Sequence, residues 1–274
     1  MLKIKTGYAE VNGARLYYEI AGSGTAFIMI HAGIADCRMW DNEFEAFAES
    51  HLVMRFDMRG YGKSLPVEGE FNIQDDLTAL LETLEIPAPA ILMGCSMGGG
   101  LAIDYALEEP EKVSALILVG SGPAGLELDV EGPDALFAQS EAAFQAGELD
   151  RVAELDMQIW FDGRGRGRED VDALARQKAY EMARLVTEHE YKDIGKHVRR
   201  SFDKPAAERL PELTMPVLAA VGENDLPYLR LAADYMVEHL PKASKVLIPD
   251  AGHLPNMEQP ELFRARVVEF LAEA

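Results

Sequence analysis

Apolar residues follow one another along this chain in two rhythms. The first is a set of short, nearly unbroken runs: Ala26–His31 (AFIMIH), Leu52–Asp57 (LVMRFD), Ala90–Gly94 and Ser114–Val119 (SALILV). Runs of that length without polar alternation predict strands buried on both faces. Residues 3–10 and 14–21 flank Asn12-Gly13, a hairpin dipeptide, and Val217–Val221 and Lys245–Ile248 complete a set of eight strands. The second rhythm is helical. It covers Asp41–Glu49, Met97–Glu109, Pro260–Ala272 and Ile73–Leu84, where Ile73, Leu77, Leu80, Leu81 and Leu84 share one face. Strands and helices in alternation predict an α/β fold with a mostly parallel sheet, covered on both sides.

The alternation breaks after Gly120-Ser-Gly-Pro123. From Pro133 to about His197 the periodicity is helical only, with candidate helices at Pro133–Ala146, Glu148–Phe161 and Glu169–Glu190. A helical block set between strands of one sheet reads as a cap over a ligand pocket. The expected division is a core of residues 1–122 and 206–274 with a cap insertion at 123–205. Gly163-Arg-Gly-Arg-Gly-Arg168, between the last two cap helices, reads as a solvated, mobile linker.

The chain has 274 residues, 48% of them hydrophobic, which suffices for a full core. Its net charge of −21 repels phosphate backbones and anionic lipid heads, so neither a nucleic-acid nor a membrane partner is expected. The same field disfavours anionic substrates unless a local Arg or Lys compensates. The absence of an 18-residue apolar stretch and of a leader-like N-terminus, with only two cysteines in unrelated contexts, points to a cytoplasmic protein without disulfides. A monomer or homodimer is the expected state. The histidines lack metal-ligand spacing and no dinucleotide fingerprint follows the first strand, so no cofactor and no metal are implied.

Candidate chemistry begins at Gly94-Cys-Ser-Met-Gly98. A Gly-x-Ser-x-Gly segment between a strand and a helix turns the chain so sharply that its flanking positions must lack bulk. Ser96 then stands exposed at a helix N-terminus, as a nucleophile would. A serine hydroxyl needs a base. Of six histidines, only His253 lies in a loop after the last predicted strand. The acid that orients it should follow Val217–Val221, where Gly222-Glu-Asn-Asp225 offers Asp225 first and Glu223 second; Asp250 is too near His253 in the chain. After strand 114–119 stands Gly120-Ser-Gly, with no carboxylate. Oxyanion donors are assigned to the N–H groups of Met97 and Gly33. His31 is read as a loop-ordering residue and Cys95 as a buried structural thiol.

These segments together resemble the α/β-hydrolase superfamily. The motifs are His31-Ala-Gly-Ile ending in Trp40, Asp57-Met-Arg-Gly-Tyr-Gly-Lys-Ser64, Gly94-Cys-Ser-Met-Gly-Gly99, Gly222-Glu-Asn-Asp225, and Gly252-His253 followed by Glu258-Gln-Pro260. The likeness is to the capped branch that holds small carboxylesterases, 3-oxoadipate enol-lactonases and meta-cleavage C–C hydrolases. It implies an eight-stranded sheet, a serine–histidine–acid triad and no cofactor. Ala32 replaces the glycine that usually follows the first-loop histidine. Ser96 stands where haloalkane dehalogenases and epoxide hydrolases carry Asp. The first expectation is a serine hydrolase for small to medium esters, with Trp40, Phe137, Phe144, Met157, Trp160, Phe161 and Met182 as candidate pocket residues. The second is a lactonase or C–C hydrolase, whose anionic substrates would require Arg164, Arg166 or Arg168 in the pocket. The third is a non-catalytic binder on the same fold.

Overall fold

The computed structural model of the chain describes residues 2–64, 70–130, 134–192 and 204–274. Eight strands form one sheet: β1 (Lys5–Val11), β2 (Ala14–Gly22), β3 (Ala26–Ile30), β4 (Leu52–Phe56), β5 (Ala90–Cys95), β6 (Val113–Val119), β7 (Val217–Gly222) and β8 (Ala243–Ile248). Their order across the sheet is β1-β2-β4-β3-β5-β6-β7-β8. β1 and β2 form an antiparallel hairpin, β2 also runs antiparallel to β4, and β3 to β8 are all parallel. Asn12 and Gly13 both take positive φ (47° and 76°), which matches the right-handed strand twist.

Side chains on successive strand residues part to opposite faces, and the core follows that rule. Ile28 and Ile30 join Leu92, Leu116 and Val221 on one face, packed with Leu77, Leu80, Leu101 and Ile103. Here α1 is Asp41–Phe47, α2 is Ile73–Thr83 and α3 is Met97–Glu108. Phe27 and Met29 join Met93, Ile117 and Val119 on the other face, against Trp40, Phe44 and Phe263. All five residues of β3 are buried, which explains why its sequence shows no polar alternation.

Between β6 and β7 the chain is helical among the described residues: α4 (Asp134–Gln145), α5 (Leu149–Asp156), a π-helical turn at Met157–Asp162, and α6 (Ala173–Lys192). Residues 133 and 193–197 of the expected helical block lie outside the described residues, as do 131–132 and 198–203 of the wider expected cap. Met157 and Phe161 from the π turn and Met182 from α6 belong to the second core cluster, so this insertion is rooted in the sheet's own packing. Truncating such a buried side chain to Ala typically costs about 2–5 kcal/mol. After the insertion come α7 (Ala206–Arg209), α8 (Pro227–His239), α9 (Pro255–Glu258) and α10 (Pro260–Glu273). α8 lies in a stretch for which the apolar runs predict no element. Its buried positions Leu229, Ala232, Ala233 and Met236 have helical spacing, and Pro227 opens it as proline at a first helical position does. Among the described residues no helix is long and apolar enough to cross a membrane.

Candidate active site

The parallel strands deliver three loops to one edge of the sheet. Where β5 turns into α3, Ser96 sits at φ 53° and ψ −115°, a left-handed conformation that costs an L-residue about 1–3 kcal/mol unless its surroundings enforce it. The surroundings do so by contact. A Cβ on Gly94 would lie 2.3 Å from the Gly98 carbonyl oxygen, and one on Gly98 would lie 2.5 Å from the carbonyl oxygens of Ile30 and His31. Only glycine fits at either position. The Ser96 N–H donates to Val119 O at 2.8 Å and its carbonyl accepts from Ser121 Oγ at 3.0 Å. Ser96 and Met97 are half-buried, whereas Cys95 is fully buried and its thiol donates to His253 O at 3.7 Å. Burial pushes the Cys95 thiol well above its ordinary range, which leaves it inert.

β7 and β8 bring the other two loops. His253 Nδ1 contacts both carboxylate oxygens of Asp225, at 3.1 and 3.0 Å, and both side chains are almost completely buried. Asp225 Oδ1 also accepts the Leu226 N–H at 2.8 Å, which fixes the carboxylate. Glu223, the second choice for the acid, is exposed. Asp250 points its role elsewhere: its carbonyl accepts from Arg166 at 2.6 Å. The glycine after β6 has a structural reason. Gly120 takes φ 52°, and a Cβ there would fall 2.8 Å from His253 Nδ1 and 3.0 Å from Asp225 Oδ2. Gly120 is thus the point at which the β6, β7 and β8 loops meet, next to Ser121 and Ser96. The Ser96 hydroxyl and the His253 ring form no hydrogen bond with each other in this conformation; such bonds often tighten only when substrate binds.

Gly33 lies against Met97: a Cβ on Gly33 would sit 3.7 Å from Met97 Cβ. Met97 is the first residue of α3, so its N–H has no intrahelical carbonyl. His31 orders this loop. Its Nδ1–H donates to Ala32 O at 2.8 Å and its Nε2 accepts from the Met58 N–H at 2.9 Å. Burial lowers its pKa, consistent with the neutral tautomer those two bonds require. The Tyr61 ring packs on His31 with centroids 5.0 Å apart. Asp57 accepts N–H groups from Cys37 and Lys63, and Gly62 passes so close to that carboxylate that any side chain would collide with it.

The candidate pocket residues separate into two groups. Trp160 lies over His253, with ring centroids 4.6 Å apart, and Phe137 stands edge-on to Trp160 at 5.7 Å. The others are taken up in packing contacts. Trp40 is fully buried against Phe263, and Met157, Phe161 and Met182 are fully buried in the core. Phe144 packs on Tyr191 and the small cluster of Ala143, Val152 and Leu155. Residue type alone does not distinguish an aromatic that roofs a pocket from one that roots the insertion. The Gly163–Arg168 segment is also not the mobile linker expected. Arg166 is nearly buried and bonded to four acceptors, while Arg164 and Arg168 are exposed.

Among the described residues, one group brings ligand atoms close enough for a metal: Asp36, Cys37 and Asp57. Its charges are already satisfied. Asp36 is paired with Arg38 at 2.6 Å, Asp57 accepts backbone N–H groups, and burial holds the Cys37 thiol far above the range in which it would ionise. The cluster orders the loop before α1.

A family model described as the alpha/beta hydrolase fold matches residues 25–260. The chain belongs to the α/β-hydrolase fold family. Among curated hydrolases of this family, it is 28% identical over 260 residues to a pimeloyl-[acyl-carrier protein] methyl ester esterase of Nitrosomonas europaea, covering 91% of this chain and 97% of that one. A protein of the same description from Aliivibrio fischeri is 25% identical over 93% of this chain and 97% of its own. Among solved α/β-hydrolases, a thermophilic esterase from Thermogutta terrifontis superposes with a TM-score of 0.77 at 24% identity, covering 98% of each chain. The enol-lactonase from Burkholderia xenovorans LB400 does so with a TM-score of 0.77 at 22% identity, over 97% of this chain and 100% of that one. At these identities the structural likenesses speak to the fold. Membership and the curated esterases together support a hydrolase of the esterase type.

Proposed function

We propose that this protein is a serine carboxylesterase that cleaves neutral esters of small to medium size through an acyl-enzyme. The observation that carries the reading is the buried His253–Asp225 pair packed against Gly120, next to Ser121, whose hydroxyl donates to the carbonyl of Ser96 at its positive φ. A carboxylate on Nδ1 leaves Nε2 as the acceptor for a serine proton and stabilises the imidazolium that results. Ser96 attacks the ester carbonyl as His253 takes its proton. The N–H groups of Gly33 and Met97 hold the oxyanion, and the N-terminal end of α3 favours the negative charge. His253 then protonates the departing alcohol. Water repeats the sequence, with His253 as base, to release the acid.

The preference for neutral esters over carboxylate-bearing lactones or ring-cleavage products rests on charge. Arg166, whose guanidinium reaches the loop on either side of His253, is committed to Glu258 and three carbonyls. Arg176 is committed to Asp162 and Glu154. Glu190 is close enough to Tyr61, beside Met97, to add to the rise that burial imposes on that phenol, so its field opposes an anion there. The test is a panel of p-nitrophenyl esters of increasing acyl length, run beside an enol-lactone carrying a free carboxylate. Turnover of the short and medium esters, exceeding that of the lactone, is the expected result. A folded protein inert on every ester would refute the proposal, and a strong preference for the lactone would reverse the charge argument.

A further inference from the structure

The π turn at Met157–Asp162 ends a helix, and a helix end leaves carbonyls without intrahelical donors. Here the donors come from elsewhere in the chain. Trp160 O accepts the backbone N–H of His253 at 2.8 Å. Phe161 O and Asp162 O accept from Arg166 Nη2 and Nε at 2.9 and 2.7 Å. The same guanidinium reaches across to the core: Nη1 donates to Asp250 O at 2.6 Å, and Nη2 pairs with Glu258 Oε2 at 2.7 Å. The other oxygen of Glu258 accepts the Gly252 N–H at 2.7 Å. Arg166 and Glu258 side chains are 11% and 4% exposed, so solvent does not weaken the pair as it would at the surface. The contacts thus bracket His253 at residues 250, 252 and 258. The fit has no slack, because a Cβ on Gly252 would lie 2.6 Å from Phe161 O. Three residues after Phe161, the Arg164 N–H donates to Asn224 O at 2.8 Å, beside Asp225.

We infer that Arg166 is a positioning residue for His253: it clasps the end of the cap helix to the histidine loop, so that seating of the cap and placement of the imidazole are one event. The inference rests on the proposed roles of Ser96, Asp225 and His253. A guanidinium suits the task because its planar fork serves several acceptors in fixed directions, which a lysine ammonium on a flexible stem does not. Removing it leaves the Glu258 carboxylate buried without its cation and the Phe161 and Asp162 carbonyls without donors. The His253 loop then relaxes, while the apolar contacts of Met157, Phe161 and Met182 still hold the cap to the sheet.

The test compares wild type, Arg166→Ala, Arg166→Lys and Glu258→Gln on a short p-nitrophenyl ester, with thermal melting as the control for folding. Arg166→Ala is expected to lower kcat by roughly 10- to 100-fold, the scale of a small misplacement of a catalytic group, while KM moves less than about threefold. Inactivation by a fluorophosphonate should slow by the same factor as kcat. Arg166→Lys should recover only part of the loss, and Glu258→Gln should show a smaller fall in kcat of the same kind. Unchanged kcat in a folded Arg166→Ala overturns the inference, as does a loss confined to KM, which would make Arg166 a substrate contact. If Arg166→Ala does not fold, Glu258→Gln decides: an unchanged kcat there overturns the inference. A wild type that neither turns over esters nor takes the label would instead defeat the functional reading itself.

Discussion

The loop that carries Ser96 and the loop that carries His253 are held in place by opposite means. Around Ser96 the restraint is chiefly steric and comes from the sheet and its loops. Gly94, Gly98 and the carbonyls of Ile30 and His31 meet at distances that admit no side chain, and these groups belong to β5, α3 and the end of β3, with Val119 and Ser121 of the β6 side bonding the Ser96 backbone. Around His253 the restraint is polar: a carbonyl from Trp160 and a guanidinium from Arg166, both in the insertion, and a carboxylate from Glu258 five residues on. The difference teaches that the place of Ser96, the proposed nucleophile, is set by the sheet, whereas that of His253, the proposed base, depends on the helical insertion. Cap changes should therefore act on the histidine half of the site and spare the serine half.

The largest effect that sharpens this contrast is chemical. Ser96→Ala is expected to cut ester turnover by at least about 10⁴-fold, because the nucleophile is lost. The melting temperature should hold or rise slightly, since the alanine methyl fits wherever the serine side chain did. Steady-state kinetics and calorimetry on the same preparation check both halves. Asp225→Asn follows. By analogy with serine proteases, where the equivalent change drops kcat about 10⁴-fold by favouring the wrong imidazole tautomer, a loss of similar order is expected in kcat with little change in KM. A loss under tenfold would mean that Asp225 is not the orienting acid.

Two glycine substitutions then separate the regions directly. Gly98→Ala should destabilise the core by about 1–3 kcal/mol or more, because rigid backbone carbonyls must move. Gly252→Ala should reduce kcat more than stability, since its clash with Phe161 O pushes the cap end away from the His253 loop and leaves the sheet alone. Equal effects of the two on the melting temperature would erase the distinction.

The smallest effect is a pH dependence. Glu43 is buried beside Asn256, on the helix that follows the histidine loop, and burial raises its carboxyl to about 8 against the partial opposition of the Asn256 bond. A carboxyl raised on folding adds stability that is complete below its ordinary pKa, near 4.5, and that fades as pH rises through about 8. The melting temperature of the wild type should therefore fall between pH 6 and about 9 more steeply than that of Glu43→Gln, which cannot ionise. Parallel slopes would show that Glu43 does not supply the dependence.

Much of this arrangement is written in local sequence. The strands of the sheet are legible because burial on both faces leaves unbroken apolar runs, and the Ser96 turn because glycine is the only residue its neighbours admit. Asp225 is legible as the second carboxylate after β7, with Gly120 vacating the alternative position. α8 carried its signal in Leu229, Ala232, Ala233 and Met236, yet that spacing went unused between two stronger strand patterns. Trp40, Met157 and Phe161 are ambiguous in sequence for a physical reason: a large apolar side chain serves a pocket wall and a core equally well, and in the structure these three are buried in a core cluster. Arg166 could not have been found locally. Its core partners lie 84 and 92 residues away, and its own segment, rich in glycine and arginine, has the composition of a solvated loop.

The account turns on whether residue 96 is the reactive centre and residue 253 the group that activates it. Treating the folded protein with a fluorophosphonate and mapping the adduct by mass spectrometry measures this most directly. A single adduct on Ser96, slowed by orders of magnitude in folded His253→Ala, is the predicted result. A folded wild type that stays unmodified, or an adduct on any other side chain, would contradict it.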